Sequence, residues 1–285
     1  DLNGNGRFDP WDSQEKIDGV GGDLNGIDDD GNGFTDDVIG YDFVDQSVAN
    51  LGDYFQPDPL PEDEHSHGTL VAGIIAAERN NKTGISGLAY DSKIITARAF
   101  DVLGNGETDD IARAIVYCAM NGARVLNLSF GEATPSSIMH DAIRYATSRG
   151  CIVFASSGNN GWNLPHYPSD YDEVISVGAT DINNKRYFRS NYGSRLAFMA
   201  PGVDILSATF GSEYKKASGT SFSAPYAAAT AALLLEKDKS LSSENICGVM
   251  KITSLDINRP GWDDLTGAGI IDAGKAVSMS GKTAV

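Results

Sequence analysis

Arg124 to Ser156 reads RVLNLSFGEATPSSIMHDAIRYATSRGCIVFAS: a short apolar run to Phe130, an amphipathic stretch from Ser136 to Ser148, and a second apolar run from Cys151. This predicts strand, helix, strand. The same alternation extends outward, with Lys93 to Phe100 and Thr108 to Asn121 before it and Val174 to Gly178 after it. Alternating strands and helices bury their apolar faces best as a parallel sheet covered on both sides. The expected fold class is therefore α/β: three layers, a doubly wound and mostly parallel sheet with helices on both faces. Thr108 is the expected cap of a helix whose apolar face is Ile111, Ala114, Ile115 and Cys118. Gly122 and Gly150 supply the left-handed residue after two helix ends.

Two further helices read as apolar nearly all round, which marks central, buried helices. One runs from His67 through Val71, Ile74 and Ile75, the other from Ser221 through Ala227, Ala231, Leu234 and Leu235. At 285 residues, 41% hydrophobic and 21% charged, the chain fits one soluble domain. No apolar run is long enough to span a bilayer. A net charge of −17 repels phosphates, so nucleic acid is excluded as a partner. The first 64 residues hold a large share of the Asp and Glu, interleaved with Gly and Asn, and such a segment wants cations. Phe34, Tyr41 and Phe43 in the same segment argue for order there. Cys118, Cys151 and Cys247 lack metal-ligand spacing and are expected as free thiols.

Active sites of α/β sheets collect where strand C-termini meet helix N-termini, and three unusual segments fall at such junctions. They are HSHGTLVAG from His65, SSGNNG from Ser156 and GTSFSAP from Gly219. A serine hydroxyl attacks only when a neighbouring base takes its proton, and neutral imidazole suits that task near pH 7. Alone, each segment is weak, since a Ser at a helix start is ordinarily a cap. Together and in this order they resemble the His, Asn and Ser boxes of the subtilisin family of serine endopeptidases.

The resemblance covers about residues 24–277 and implies His67 as general base, Ser221 as nucleophile, and the Asn159 side-chain amide with the Ser221 N–H as oxyanion donors. It implies a peptidase domain over residues 1–277, with residues 1–44 rich in calcium loops and 278–285 a tail or linker. Substrate would lie extended between Leu103 to Gly106, through Gly104 and Gly106, and Leu128 to Gly131, through Ser129, Phe130 and Gly131. Ser157 and Gly158 would help wall the pocket for the residue before the scissile bond, the P1 residue. His166 would stand near its base, a structural role being equally open. Partners would be protein or peptide substrates, and localisation secreted, cell-surface or periplasmic.

One family feature has no match. The catalytic Asp should sit at the end of an early, central strand, and the early strand candidate, Val38 to Val44, carries Asp42 in a Gly-Tyr-Asp-Phe context that corresponds to a different family position. The expectation is that the acid strand lies upstream of Asp1, that a propeptide or further C-terminal domains belong to the protein, and that residues 1–285 alone are nearly inactive. The vacant place in the sheet should be filled by an upstream peptide, a partner chain or a rearranged segment such as residues 38–44. Two alternatives stand beside the enzyme. One is an inactive, calcium-binding scaffold of the same fold. The other is the related sedolisin group, against which the His box counts.

The N-terminal acidic segments have their own spacing. Asp1, Asn3, Asn5, Asp9 and Asp12 put oxygens at loop positions 1, 3, 5, 9 and 12 with Gly6 at the turn, and Asp28, Asp30, Asn32 and Asp36 repeat most of the pattern. That is the spacing of an EF-hand loop. Hard oxygen donors without His or Cys select Ca²⁺. The plain alternative is a pair of turns built from Asn-Gly and Asp-Gly.

Overall fold

In the computed structural model, which describes residues 26, 28, 31–47, 50–54 and 56–280, the expected alternation is realised within a longer series. Its order is β1 (Gly40–Asp42), α1 (His67–Ala76), β2 (Thr96–Arg98), α2 (Thr108–Met120), β3 (Val125–Leu128), α3 (Ser137–Ser148), β4 (Ile152–Ser156), β5 (Val174–Thr180), β6 (Leu196–Pro201), β7 (Ile205–Thr209), β8 (Glu213–Ala217), α4 (Ala224–Lys237), α5 (Ser243–Thr253) and α6 (Ala273–Met279). The chain divides into two compact units, Asp1–His65 with Ile95–Gly122, and Ser66–Ile94 with Ala123–Val285.

In the first unit β1 and β2 pair in parallel, Gly40 opposite Thr96 and Asp42 opposite Arg98. Gly40 is required there, because a Cβ would overlap the Thr96 carbonyl. Asp42 is 1% exposed and ion-paired to Arg98, whose other nitrogen reaches Glu64 Oε2 at 2.7 Å. Burial pushes the Asp42 carboxyl up to about 6, against the opposing pull of Arg98 and of the Val44 N–H. Phe34 meets Tyr41, Phe43 and Tyr117 at centroid distances of 4.9, 5.8 and 4.8 Å. Edge-to-face pairs of this kind contribute about 0.5–1.5 kcal/mol each. They anchor the loop before β1 to α2. Glu107, not Thr108, is the extended residue preceding α2, and Thr108 is its first helical residue without a side-chain cap.

In the second unit β3, β4, β5 and β6 form a parallel sheet in that order. Side chains alternate across it. Ile152, Phe154, Ile175, Val177, Phe198 and Ala200 point to one face and pack on α4, α5 and α6, while α3 lies against β4 from the other. Ser136 caps α3, its Oγ accepting from Met139 N at 3.3 Å, and Gly122 and Gly150 do adopt positive φ. Leu234 is wholly buried, worth about 1.5–3 kcal/mol of transfer free energy. The helix α1 packs on β7 so closely that a Cβ at Gly73 would lie 2.6 Å from Ser207 Oγ.

Two expectations are corrected here. The last buried helix does not begin at Ser221. Thr220–Phe222 form a short 3-10 turn, and α4 begins at Ala224 with Pro225 in its first turn. Proline has no N–H, so Pro225 cannot donate to the carbonyl four residues back, which is that of Ser221. And residues 38–44 do not fill a place in the larger sheet. Among the described residues β1 is the strand neighbour of β2, and β4 that of β3.

Candidate active site

His67 and Ser221 both lie in the second unit. His67 is the first residue of α1, behind Ser66, whose φ of 71° turns the chain sharply into the helix. Its ring stands 5.7 Å from that of Phe222, the residue after Ser221. The carbonyl of Ser221, left without a helical donor by Pro225, instead accepts from Ser129 Oγ at 2.8 Å. In return Ser221 Oγ donates to the Ser129 carbonyl at 3.0 Å. A hydroxyl has one proton to give. The Ser221 hydroxyl therefore rests on the loop after β3, its proton committed to the Ser129 carbonyl.

Asn159 follows β4, and its amide is oriented by one neighbour. Asn159 Oδ1 accepts from the Thr220 N–H at 2.9 Å and from Thr220 Oγ1 at 3.2 Å. With the oxygen held, the Nδ2 donor faces the other way. Thr220 Oγ1 also accepts from the Gly158 N–H at 3.2 Å, so a single buried hydroxyl ties the loop after β4 to the turn that carries Ser221. The Ser221 N–H makes no hydrogen bond among the described residues. Asn159 and Ser221 are thus brought to neighbouring loops by the one Thr220 side chain.

Ser129, Phe130 and Gly131 continue from β3, and Ser157 and Gly158 from β4. Reciprocal bonds between Glu132 and Tyr167, 2.8 and 2.7 Å, hold Gly131 beside His166. A Cβ on Gly131 would overlap His166 Cε1, and one on Gly158 would lie 2.7 Å from its Cδ2. The imidazole is wedged between the two glycines. Ser157 Oγ donates to the Asn191 carbonyl at 3.3 Å, and Asn191 Oδ1 accepts from Asn160 N and Trp162 N. Gly104 and Gly106 belong to the first unit, where Asp101 closes their segment as a turn by accepting from Leu103 N and Asn105 N. That segment, expected as an extended strand, is not one.

Sequence reasoning missed Thr220 and Asn191 as organisers of the site. Thr220 sits inside the Gly-Thr-Ser-Phe-Ser-Ala-Pro box, so its place was visible but its role was not. His140, on α3, stacks on Tyr171 at 4.0 Å and approaches Glu173 Oε2 at 2.8 Å.

Asp1, Asn3, Asn5, Asp9, Asp12 and Asp30 lie outside the described residues. Of the other candidate calcium ligands, Asp28 accepts from the N–H groups of Gly31, Asn32 and Gly33 at 2.8, 3.1 and 2.8 Å. Asp36 accepts from Gly26 N, and Asn32 donates to Asp37 and Asn121. The oxygen donors suit a hard cation, and the wrapped backbone is also that of a simple turn. Among the described residues no three His, Cys, Asp or Glu side chains converge as a metal site. Nor is any described helix long and apolar enough to cross a membrane.

Comparison with known proteins agrees with the geometry. A profile of the Subtilase family matches residues 21–269. The chain is 44% identical over 200 residues to a "Thermophilic serine proteinase" of Bacillus sp. (strain AK1), covering 70% of this chain and 47% of that protein. It is 37% identical over 229 residues to "Subtilisin Savinase" of Lederbergia lenta, covering 80% and 84%. Among solved structures it is similar to a protease from Pseudoalteromonas arctica PAMC 21717, with a TM-score of 0.77 at 31% identity, covering 85% of this chain and 83% of that one. The chain spans about half the length of the first of these relatives. The three-layer α/β fold is that of these proteases.

Proposed function

Because the chain belongs to the subtilase family, we propose that it is a serine endopeptidase acting on unfolded or loop segments of proteins, with His67 as base, Ser221 as nucleophile and Asn159 as oxyanion donor. The observation that carries this reading is the Thr220 hydroxyl, which holds Asn159 Oδ1 and Gly158 N–H on the turn bearing Ser221. That arrangement has a use in acyl transfer. A substrate entering the site displaces the Ser221 hydroxyl from the Ser129 carbonyl, and His67 takes its proton as Oγ attacks the peptide carbonyl. Negative charge develops on the carbonyl oxygen. The Asn159 Nδ2 and the Ser221 N–H receive it without moving, which is what makes such donors effective. The leaving amine then takes the proton from His67, and water repeats the sequence on the acyl-enzyme.

The catalytic acid is the one part without a residue in this reading. Asp42 is bonded to Arg98 and Val44 N, and Asp63 accepts from His65 N at 2.9 Å. No acid partner is assigned to His67 in this reading. In subtilisin itself, loss of the acid alone costs about 3 × 10⁴ in turnover. The acidic N-terminal loops are taken to hold Ca²⁺, and the site of action to be outside the cytoplasm: secreted, on the cell surface or in the periplasm.

The test is reaction with an organophosphorus serine inhibitor. Labelling is expected at Ser221 and is abolished in Ser221→Ala. Labelling that persists in that variant places the nucleophile elsewhere. Absence of labelling altogether favours the inactive scaffold.

A further inference from the structure

We infer that His166 makes the P1 pocket a shallow one with a hydrogen-bond acceptor at its floor, selecting uncharged side chains that end in a donor, glutamine and asparagine above all. The inference rests on the proteolytic reading and concerns which peptides it takes. Three observations carry it.

The first is position. Gly131 and Gly158 are the backbone walls that flank Ser129 and Asn159, both bonded to the turn of Ser221. The His166 ring fills the space a side chain would take on either wall. Its Nε2 is near both, 2.7 Å from a Cβ built on Gly131 and 3.0 Å from one built on Gly158. A large aromatic P1 side chain entering between these walls meets the imidazole tip.

The second is the tautomer. Ser169 Oγ donates its proton to the His166 carbonyl at 2.7 Å. That proton is thereby committed. At 3.1 Å from His166 Nδ1, the same oxygen has only lone pairs left to offer, so Nδ1 carries the hydrogen and donates it. In the neutral ring Nε2 is then a bare acceptor, and it is the atom between the two walls.

The third is the surroundings. The groups around the ring are Ser169, Tyr167 and the two glycines, with Asp170 accepting from the His166 backbone N–H at 3.3 Å. Asn191 Nδ2 shares the space beside Gly158 with the ring, 2.3 Å from the same built Cβ. Burial disfavours the charged imidazole and keeps its proton affinity below the ordinary histidine value. At neutral pH and above, the floor offers a lone pair. A primary amide can donate to it. A carboxylate presents two acceptors and a negative charge instead, and a methyl group leaves the buried nitrogen unpaired.

The experiment compares kcat/KM for peptides identical except for Gln, Glu, Leu or Phe at P1, at pH 8. Ratios within one protein cancel any general loss of turnover. Gln is expected to exceed Glu and Leu by about tenfold, the size of one neutral hydrogen bond, and Phe to be poorest. In His166→Gly the Gln advantage disappears and Phe gains about tenfold or more. In Ser169→Ala, which frees the tautomer, the ratio of Gln to Glu falls while Phe stays poor. An unchanged P1 ranking in His166→Gly overturns the proposal and leaves the protease standing. Absence of both hydrolysis and Ser221 labelling overturns the protease and the proposal together.

Discussion

Thr220 Oγ1 lies 3.2 Å from Asn159 Oδ1 and 3.2 Å from the Gly158 nitrogen, donating to the first and accepting from the second. The residue just before Ser221 is thus the one that holds the Asn159 side chain.

Thr220→Val keeps the shape and removes both bonds. We expect kcat to fall about tenfold with KM little changed, because the lost interaction matters when charge develops. The buried Gly158 N–H left without a partner should also cost about 1–3 kcal/mol of stability. Asn159→Leu should be worse, by the factor of about 10² to 10³ that one such donor carries in subtilisin. Steady-state kinetics of the two variants check this, and equal kcat in Thr220→Val and the parent protein would mean that Asn159 is aimed by something else.

Arg98→Leu should cost about 3–5 kcal/mol, because it strands the Asp42 carboxylate in a site where it is 1% exposed. Already about 6 with the guanidinium present, its pKa should rise further. Replacing both partners, Asp42→Leu with Arg98→Leu, should recover much of the loss. Urea unfolding midpoints decide, and equal stability of the single and double variants would show that the pair does not hold the segment.

Acidification should weaken the loop that carries His166. Its folded pKa lies below the ordinary 6.5, so below that pH the unfolded chain binds more protons than the folded one. The stability this neutral ring provides is whole at pH 7 and above and is lost as pH falls below 6.5 towards the folded value. The carboxyl of Asp170 titrates nearby, burial pushing it upward, and it does so in both proteins compared. Between pH 7.5 and 5.5 the melting temperature should therefore drop further in the parent protein than in His166→Gln; parallel curves would contradict the shift.

Chelation should lower the melting temperature, because clustered carboxylates repel one another without a cation and a ligand bound only by the folded state stabilises it by mass action. Calorimetry after prolonged dialysis against chelator checks it. A curve unchanged after full exchange would assign the acidic loops to turns.

The order of strands and helices, the buried character of α1 and α4, and the three boxes were legible in the sequence because each is written locally, in periodicity and in residues at fixed spacing. Thr220 and Asn191 were not, since their roles depend on partners 61 and 31 residues away, Asn159 and Asn160. The hairpin of β7 and β8 and the capping box of Ser242 and Asn245 were also passed over. The start of α4 was misjudged for a different reason. Pro225 is tolerated in a first turn, but the first turn it permits begins at Ala224 and leaves Ser221 outside.

That proline sets a trap for anyone improving the protein. An alanine at 225 would restore the missing amide, lengthen the helix and, by propensity alone, help the fold. The restored amide would compete with Ser129 Oγ for the Ser221 carbonyl, and the turn that presents the hydroxyl would be drawn into regular helix. A selection for heat tolerance alone would thus favour a protein that no longer cuts, while one that also counts product would keep the weaker helix.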